Sequence, residues 1–468
     1  MSETMKSVAP RREFLKTTAR LAAVSTLAGV AIPHVHAGED NTIRLALIGC
    51  GGRGSGAAAN AMSAGGLVMD NSFGPKGEEN AKSSGPVKLV AMADLFQDRL
   101  EKSHGALSKM LGDNIDVPKD RQFLGFDAYR KAIDCLRPGD VAILTTHAAF
   151  RPTHLEYAIE KGVHVFMEKC FAADPGGTQQ VLRAGEAAEK KNLKIAAGLM
   201  CRHSSARQAL IQKMRDGAMG DIQLIRAYRM DPGWRMPPFK GGQNELHFQI
   251  RNACLFLWTT PGLFIELMVH QIDECCWIKD SWPVTAHGVG GRAANNTDCS
   301  QNLDSYSIEY TFADGAKALV NGRYIPNCFN DFVTYAHGTK CAALFSGNVH
   351  APSSQIYKDQ HIADNNVAWK PKRERVNPWQ AEWNVFLNAI RNDRPHNEAR
   401  RAALSNLASI MGRAAVHTGK VITWDEMMAS KLKFCGNVAG LTNDSPAPVR
   451  ADAEGRYPAP IPGACTEI

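Results

Sequence analysis

The sequence predicts an α/β protein in two halves. The first is a doubly wound parallel sheet; the second is an α+β domain with a large, open, mostly antiparallel sheet. Three observations predict this. An apolar run from Ile43 to Ile48 stops at glycines in G-x-G-x-x-G spacing, and an Ala-rich stretch follows. Strand-like and helix-like segments then alternate to about residue 200. Beyond residue 300, runs with period-two alternation recur, as in a sheet with one face buried.

The glycine stretch organises the first half. Gly49 permits a tight turn out of the strand, Gly51 leaves the backbone open to a pyrophosphate, and Gly54 lets the next helix pack close. That helix, read over 55–64, offers unpaired N–H groups at its start, an anion site. Gly52 and Arg53 belong to the same turn. The expected domain is therefore of the dinucleotide-binding (Rossmann) type.

Residues 1–37 read as a twin-arginine export signal. Pro10-Arg-Arg-Glu-Phe-Leu-Lys16 precedes an apolar segment, Leu21 to Ile32, too short to span a bilayer, and Val35-His-Ala37 forms a cleavage site. No cysteine stands at that point, so no membrane anchor is expected after cleavage. Such signals serve proteins exported already folded, which predicts a periplasmic or secreted protein carrying a cofactor loaded in the cytoplasm.

Composition agrees with a globular protein of 468 residues, 44% hydrophobic. The formal charge is +7. The signal holds five Lys/Arg and two Asp/Glu, which leaves about +4 on the remainder. That balance, with no basic run interleaved with aromatics, gives no case for nucleic acid. The 12 cysteines include no C-x-x-C pair, so no zinc-type metal site is expected. Cys50, Cys135, Cys170 and Cys254 lie in apolar contexts and read as buried thiols.

The elements follow in order. Segment 62–86, rich in Gly, Ser, Lys and Glu, reads as an inserted loop. Residues 87–93 form the second strand, with Asp94 at its end. An acid there can accept both ribose hydroxyls of an adenosine and repels the extra phosphate of NADP, so NAD is favoured. A helix is predicted over 97–111 and another over 126–133, after a short strand near Phe123. The strand 140–146 ends at Thr146 and His147, on the edge where open α/β sheets bind ligands. A helix over 155–161, a strand over 163–167 and a last strand over 193–199 complete the domain, 40–200. Directly after the fifth strand come Glu168, Lys169 and Cys170.

The glycine turn, Asp94, the Thr145-Thr146 strand end and Gly162-Val-His-Val-Phe-Met-Glu-Lys169 together resemble the Gfo/Idh/MocA family of NAD(P)-dependent oxidoreductases. The resemblance extends through Gly217-Ala-Met-Gly-Asp-Ile222, Glu266 with His270, Gly338-Thr-Lys340 and Gly419-Lys-Val-Ile-Thr-Trp424. It implies a substrate and oligomerisation domain over 201–442, a homodimer or homotetramer, and a carbohydrate or cyclitol substrate. It also implies that Lys169, from a Glu-Lys-Pro tripeptide, reaches substrate and nicotinamide. Cys170 replaces that proline. A lysine at a strand end could equally lie at the surface; with partial burial its pKa would fall into a useful range.

The helix after Thr260-Pro-Gly262 carries the second cluster, with Thr260 expected as its cap. Glu266, His270 and Asp273 stand at i, i+4 and i+7 and share one face. By the resemblance His270 is the general acid/base, and its ordinary pKa suits neutral pH. Glu266 would orient the imidazole or bind a sugar hydroxyl, and Asp273 would hold the other ring nitrogen or another hydroxyl. A polar interdomain seam and a metal site are the competing readings of the same face. Arg202 and Arg323 are expected at the substrate. Segment 234–258 suggests an aromatic platform for a sugar or an oligomer contact. Residues 351–377 read as an exposed loop. Helices are predicted over 379–391 and 397–418, and the tail 443–468 over the surface.

The function expected is an exported oxidoreductase that passes hydride between a tightly held NAD and a sugar, sugar derivative or cyclitol. Two alternatives stay open: an NAD-dependent glycosidase working by transient oxidation and elimination, and a non-catalytic nucleotide- or sugar-binding protein.

Overall fold

A computed structural model describes residues 41–62, 85–294, 296–347 and 353–468. Residues 1–37, expected to be an export signal, and most of segment 62–86 lie outside the described residues.

The first half builds on β1 (Ile43–Ile48), α1 (Gly52–Ala61), β2 (Val87–Asp94), α2 (Gln97–Leu111), β3 (Gln122–Leu124), α3 (Ala128–Ile133), β4 (Val141–Leu144), α4 (Arg151–Glu160), β5 (His164–Met167), α5 (Pro175–Lys190) and β6 (Ile195–Ala197). The six strands pair in parallel in the order β3-β2-β1-β4-β5-β6. Their central members are buried on both faces, so they read as continuous apolar runs. The order reverses between β1 and β4, which opens a crevice at their carboxyl ends. The glycine turn leaves β1 at that crevice.

The chain continues through α6 (Ser205–Arg215), β7 (Ile222–Met230), α7 (Glu245–Arg251), α8 (Leu263–Lys279), β8 (Thr285–Gly291), β9 (Ser305–Thr311), β10 (Lys317–Arg323), β11 (Asp331–Gly338), β12 (Ala342–Gly347), β13 (Gln355–Tyr357) and β14 (Val367–Trp369). It ends with α9 (Pro378–Arg391), α10 (Ala399–Thr418), β15 (Ile422–Thr423) and α11 (Trp424–Ala429). The second sheet runs β14-β13-β12-β11-β7-β10-β9-β8-β15 and is antiparallel except where β7 meets β10. Alternation sets its buried face: Tyr306, Ile308 and Tyr310 of β9 point inward, toward α10. Helix α10 is buried almost throughout and is rich in Ala, Ser and Gly. Its small residues allow the close approach; a Cβ on Gly412 would sit 2.0 Å from the Tyr310 hydroxyl.

Several boundaries differ from expectation. Helix α8 is capped not by Thr260 but by Gly262, at φ +87°, whose N–H donates to the Thr260 hydroxyl. Residues 351–377 contain β13 and β14; these strands are three residues long, too short for periodicity to register. The tail does more than cover the surface. Glu467 is buried and binds Arg413 Nε at 3.0 Å and His417 Nδ1 at 2.5 Å. Cys50 and Cys170 are buried thiols, but Cys135 and Cys254 are partly open.

Candidate active site

One elongated cavity of about 300 Å³ runs along the carboxyl edge of the first sheet, from the glycine turn to Lys169 and Glu266. Its two ends do different work.

At the turn, Gly49 has φ +99°, and a Cβ there would meet the Thr146 nitrogen at 2.6 Å. A Cβ on Gly54 would lie 2.1 Å from the Gly49 carbonyl oxygen. Only glycine allows this strand-to-helix approach. Gly51 is different: nothing lies within 4 Å of a Cβ placed there. That empty space adjoins the start of α1, where no side chain caps the free N–H groups and no acid sits in the first turn. An uncapped, acid-free helix start fits a phosphate. Asp94 ties the turn to β2. Its Oδ2 accepts from the Cys50 N–H at 2.7 Å and its Oδ1 from the Phe96 N–H at 2.9 Å. Burial raises its pKa against these hydrogen bonds. It lines the cavity and stabilises the turn before α2 as well.

The wall between the two ends comes from the segment after β4. The Thr145 hydroxyl donates to the Gly49 carbonyl at 2.6 Å. Thr146 and His147 line the cavity, and the Thr146 hydroxyl meets His154 Nδ1 at 3.2 Å. Burial pushes His147 down to about 4 and His154 to about 3, so both rings are neutral at pH 7. Arg151 is fully buried and donates to the carbonyls of Leu144, Thr146 and Cys170. Sequence spacing gave no hint of it: one guanidinium knits together the ends of β4 and β5. Burial lowers its pKa to about 10, which still leaves it charged.

Glu168 and Lys169 lie at the inner end. Glu168 is buried and pairs with Arg53, whose Nε lies 3.2 Å from Oε1. The guanidinium also sits 5.4 Å from the centroid of the Trp379 ring on α9. Arg53 was expected to face the cofactor; its first partners are protein groups. Lys169 Nζ donates to Glu266 Oε2 at 2.5 Å and to the Glu266 carbonyl at 2.8 Å. Burial alone would lower the lysine pKa, but the Glu266 carboxylate outweighs it and raises that pKa above the ordinary range. The expected downward shift is therefore reversed, and Lys169 is a hydrogen-bond donor at neutral pH. The Lys169–Cys170 peptide bond is cis. Cys170 is buried with its thiol 3.7 Å from the Ile265 carbonyl, and burial raises its pKa well above a reactive range.

The polar face of α8 splits three ways. Glu266 binds Lys169 and so does not orient His270. His270, one turn on, is buried, and its pKa lies well below 6.5 through burial and the charges of Lys169, Arg229, Arg207 and Arg53. It is neutral at pH 7 and does not line the cavity. Asp273 is buried and accepts both arms of Arg202, each at 2.8 Å, and the Ser405 hydroxyl at 2.5 Å. Arg202 in turn stacks over Trp277 at 4.7 Å. Both were expected at the substrate; they form a closed ion pair inside the second half instead. Arg323, also expected there, donates to the Phe329 carbonyl and lies outside the cavity. Among the described residues no cluster of three or more metal-ligating side chains occurs.

Comparison with known proteins gives the fold type. The chain is 22% identical over 293 residues to the rhizopine catabolism protein MocA of Rhizobium meliloti, covering 60% of this chain and 78% of that one. The fold matches a scyllo-inositol dehydrogenase from Lactobacillus casei, solved with bound NAD(H) and scyllo-inositol. The TM-score is 0.57 at 19% identity, over 82% of this chain and 99% of that one. It also matches an aldose-aldose oxidoreductase from Caulobacter crescentus complexed with glycerol, with TM-score 0.58 at 14% identity, over 82% and 99% of the two chains. No protein-family model matches the chain. The chain has the Gfo/Idh/MocA-type fold and is similar in sequence to MocA.

Besides Arg151, the cavity residues that the sequence did not single out for the site include Arg99, Phe126, Ile250 and Cys254. Arg99 and Phe126 lie on predicted helices whose outer faces look like ordinary surface. Ile250 and Cys254 come from the second half, and nothing local in the sequence marks them as neighbours of the glycine turn. Among the described residues no helix is long and apolar enough to cross a membrane.

Proposed function

We propose that this chain is an exported oxidoreductase that passes hydride between a tightly held NAD and a CH–OH group of a sugar, sugar derivative or cyclitol. The observation that carries the reading is the shared cavity. An open phosphate cradle and Asp94 line one end, and a charged Lys169–Glu266 pair lines the other. The likeness to a scyllo-inositol dehydrogenase and an aldose-aldose oxidoreductase supports the substrate class.

Gly49, Gly51, Gly52 and Gly54 would hold the dinucleotide, with Asp94, Thr146 and His147. The nicotinamide supplies the hydride acceptor when bound. Lys169, held protonated, donates a hydrogen bond to the substrate oxygen and stabilises charge that develops there. Glu266 fixes the ammonium and is the acceptor in the cavity for the hydroxyl proton. His270, neutral one turn deeper, is a second acceptor behind this pair. Export rests on the twin-arginine pattern of residues 1–37.

The test starts with protein purified after export. Denaturation and mass spectrometry should release about one NAD(H) per chain. Sugars, cyclitols and glycosides are then screened for turnover. Reduced nicotinamide with a ketone or lactone product supports the oxidoreductase. Cleaved glycoside with no net redox change replaces it by the glycosidase. No bound nucleotide and no binding of added NAD or NADP leaves only a binding protein.

A further inference from the structure

The outer wall of the nucleotide cavity does not belong to the nucleotide domain. Ile250 of α7 and Cys254 of the short turn after it line the same cavity as Phe96, Arg99 and Asp94, and Cys254 lies close enough to Lys169 and Glu266 to feel their charges. This part of the second half is fastened to the first at several points. Arg251 forms two hydrogen bonds with Asp98, at 2.7 and 3.1 Å, and its guanidinium lies 3.9 Å from the Phe96 ring centroid. The His247 and Phe96 rings meet edge to face at 5.6 Å. The Ala149 N–H, beside His147 and Ala148 of the cavity wall, donates to the Thr259 carbonyl at 3.0 Å.

The outside of α7 is in turn clasped by the C-terminal tail. Glu245 accepts from Arg450 at 2.7 Å, from the Ala451 N–H at 3.0 Å and from the Tyr457 hydroxyl at 3.0 Å. Gln249 donates to the Val449 carbonyl at 2.7 Å and accepts from Trp258 Nε1 at 2.6 Å. Leu246 and Ile250 of α7, Tyr457 and Phe96 belong to one apolar cluster that joins tail, helix and nucleotide domain.

We propose that α7 and the turn after it roof the dinucleotide site, α7 on the Asp94 side and the turn toward Lys169, and that the tail holds this roof closed, making the nucleotide a resident group. The inference rests on the NAD-binding reading above. With the roof down, release of the nucleotide requires the α7–tail hydrogen bonds to break first. Slow dissociation then comes from a closed wall as well as from phosphate and ribose contacts. A chain that leaves the cytoplasm folded keeps its nucleotide by this means.

The test compares wild type with Glu245→Ala, which removes three tail contacts at once and leaves every group of the glycine turn in place. Release of bound nucleotide is followed by exchange against isotopically labelled NAD, with mass spectrometry of the protein-bound fraction. We expect wild type to keep its nucleotide through gel filtration and Glu245→Ala to exchange it at least tenfold faster. Equal exchange rates in two folded proteins overturn the roof. If wild type binds added NAD but exchanges it within seconds, the roof falls and the NAD-binding reading stands. If neither NAD nor NADP binds, the reading falls and takes the roof with it. Should Glu245→Ala not fold, amide hydrogen exchange on the wild type decides. Slower exchange in 245–258 and 443–457 in the nucleotide-loaded protein than in protein stripped of its nucleotide supports the roof, and equal exchange in both segments overturns it.

Discussion

The glycine turn lines one end of the cavity and the polar face of α8 reaches the other through Glu266 alone, and the two are built on different principles. At the turn, residues adjacent in sequence serve one cradle. Gly49 and Gly54 bring strand and helix together, and Gly51 leaves the space that this contact frames. On α8, residues one turn apart serve unrelated partners. Glu266 reaches across to Lys169, His270 is buried neutral, and Asp273 turns away to Arg202. The difference teaches what spacing can specify. A backbone motif fixes its own geometry, because the contacts it makes are with itself. Helical spacing fixes only a shared face; the partner of each side chain is set by whatever the tertiary fold packs opposite it.

The comparison breaks most visibly at Lys169. If the pair with Glu266 is the proton-handling end, Lys169→Ala should lower turnover of the best substrate by about 10²–10⁴-fold while bound nucleotide stays stoichiometric. Steady-state kinetics beside nucleotide quantification checks both halves of that statement. Retained turnover would move the chemistry to His270. On the same helix face, Asp273→Ala should instead act on folding. It strands the buried guanidinium of Arg202 and should cost about 3–5 kcal/mol in a urea titration. KM should stay near the wild-type value in whatever fraction remains folded. A large rise in KM with normal stability would return Asp273 to the substrate.

The glycine turn predicts its own internal contrast. Gly54→Ala forces a Cβ against the Gly49 carbonyl and should destabilise the fold by about 3 kcal/mol, with loss of nucleotide as a consequence. Gly51→Ala places its methyl in open space. It should leave the melting temperature within about 2 °C of wild type and still weaken nucleotide binding, since the methyl stands where a phosphate would approach. Equal losses of stability in the two variants would mean that the turn has no free space reserved for a ligand.

Most of the fold was legible because its signals are local. Buried parallel strands, the glycine turn and the alternating strand β9 each carry their pattern within a few residues. The placement of Asp94, Thr146, His147, Glu168 and Lys169 along one sheet edge followed from strand ends alone. What escaped depends on distant segments. Arg151 falls in the connection between the predicted strand 140–146 and helix 155–161, yet it is a buried hub for three carbonyls. Arg202 pairs across 71 residues with Asp273, and Glu467 inserts beside Arg413 from the end of the chain. Bidentate and buried pairs of this kind satisfy each other only in the folded state, so neither member carries a signal by itself. The wall made by Ile250 and Cys254 was hidden for the same reason.

The smallest expected effect lies in histidine titration, and it sets the two regions side by side. His154 stands beside the glycine turn's wall, packed on Tyr129 at 4.0 Å and facing Arg151 and Arg130. His270 stands on α8, facing Lys169, Arg229, Arg207 and Arg53. Burial, with these positive neighbours, depresses both pKa values, His154 to about 3. The unfolded chain takes up a proton at each ring near pH 6.5, whereas the folded chain does not. Stability from each ring is thus complete above about pH 6.5 and declines as the pH falls toward the folded value, by about 1.4 kcal/mol per pH unit per ring. His147, at about 4, steepens the same slope. The carboxylates Glu398 and Glu467, held at about 2, add their own loss only below their unfolded pKa near 4.5. Urea midpoints between pH 6.5 and pH 5 avoid these two carboxylates, and comparison of wild type with single histidine variants then picks out each imidazole from the buried carboxyl of Glu382, whose pKa burial raises. His154→Phe and His270→Phe should each flatten the wild-type slope by one proton's worth. If only the α8 variant does so, the wall beside the glycine turn admits water to its histidine, and the two ends of the cavity differ in hydration as well as in design.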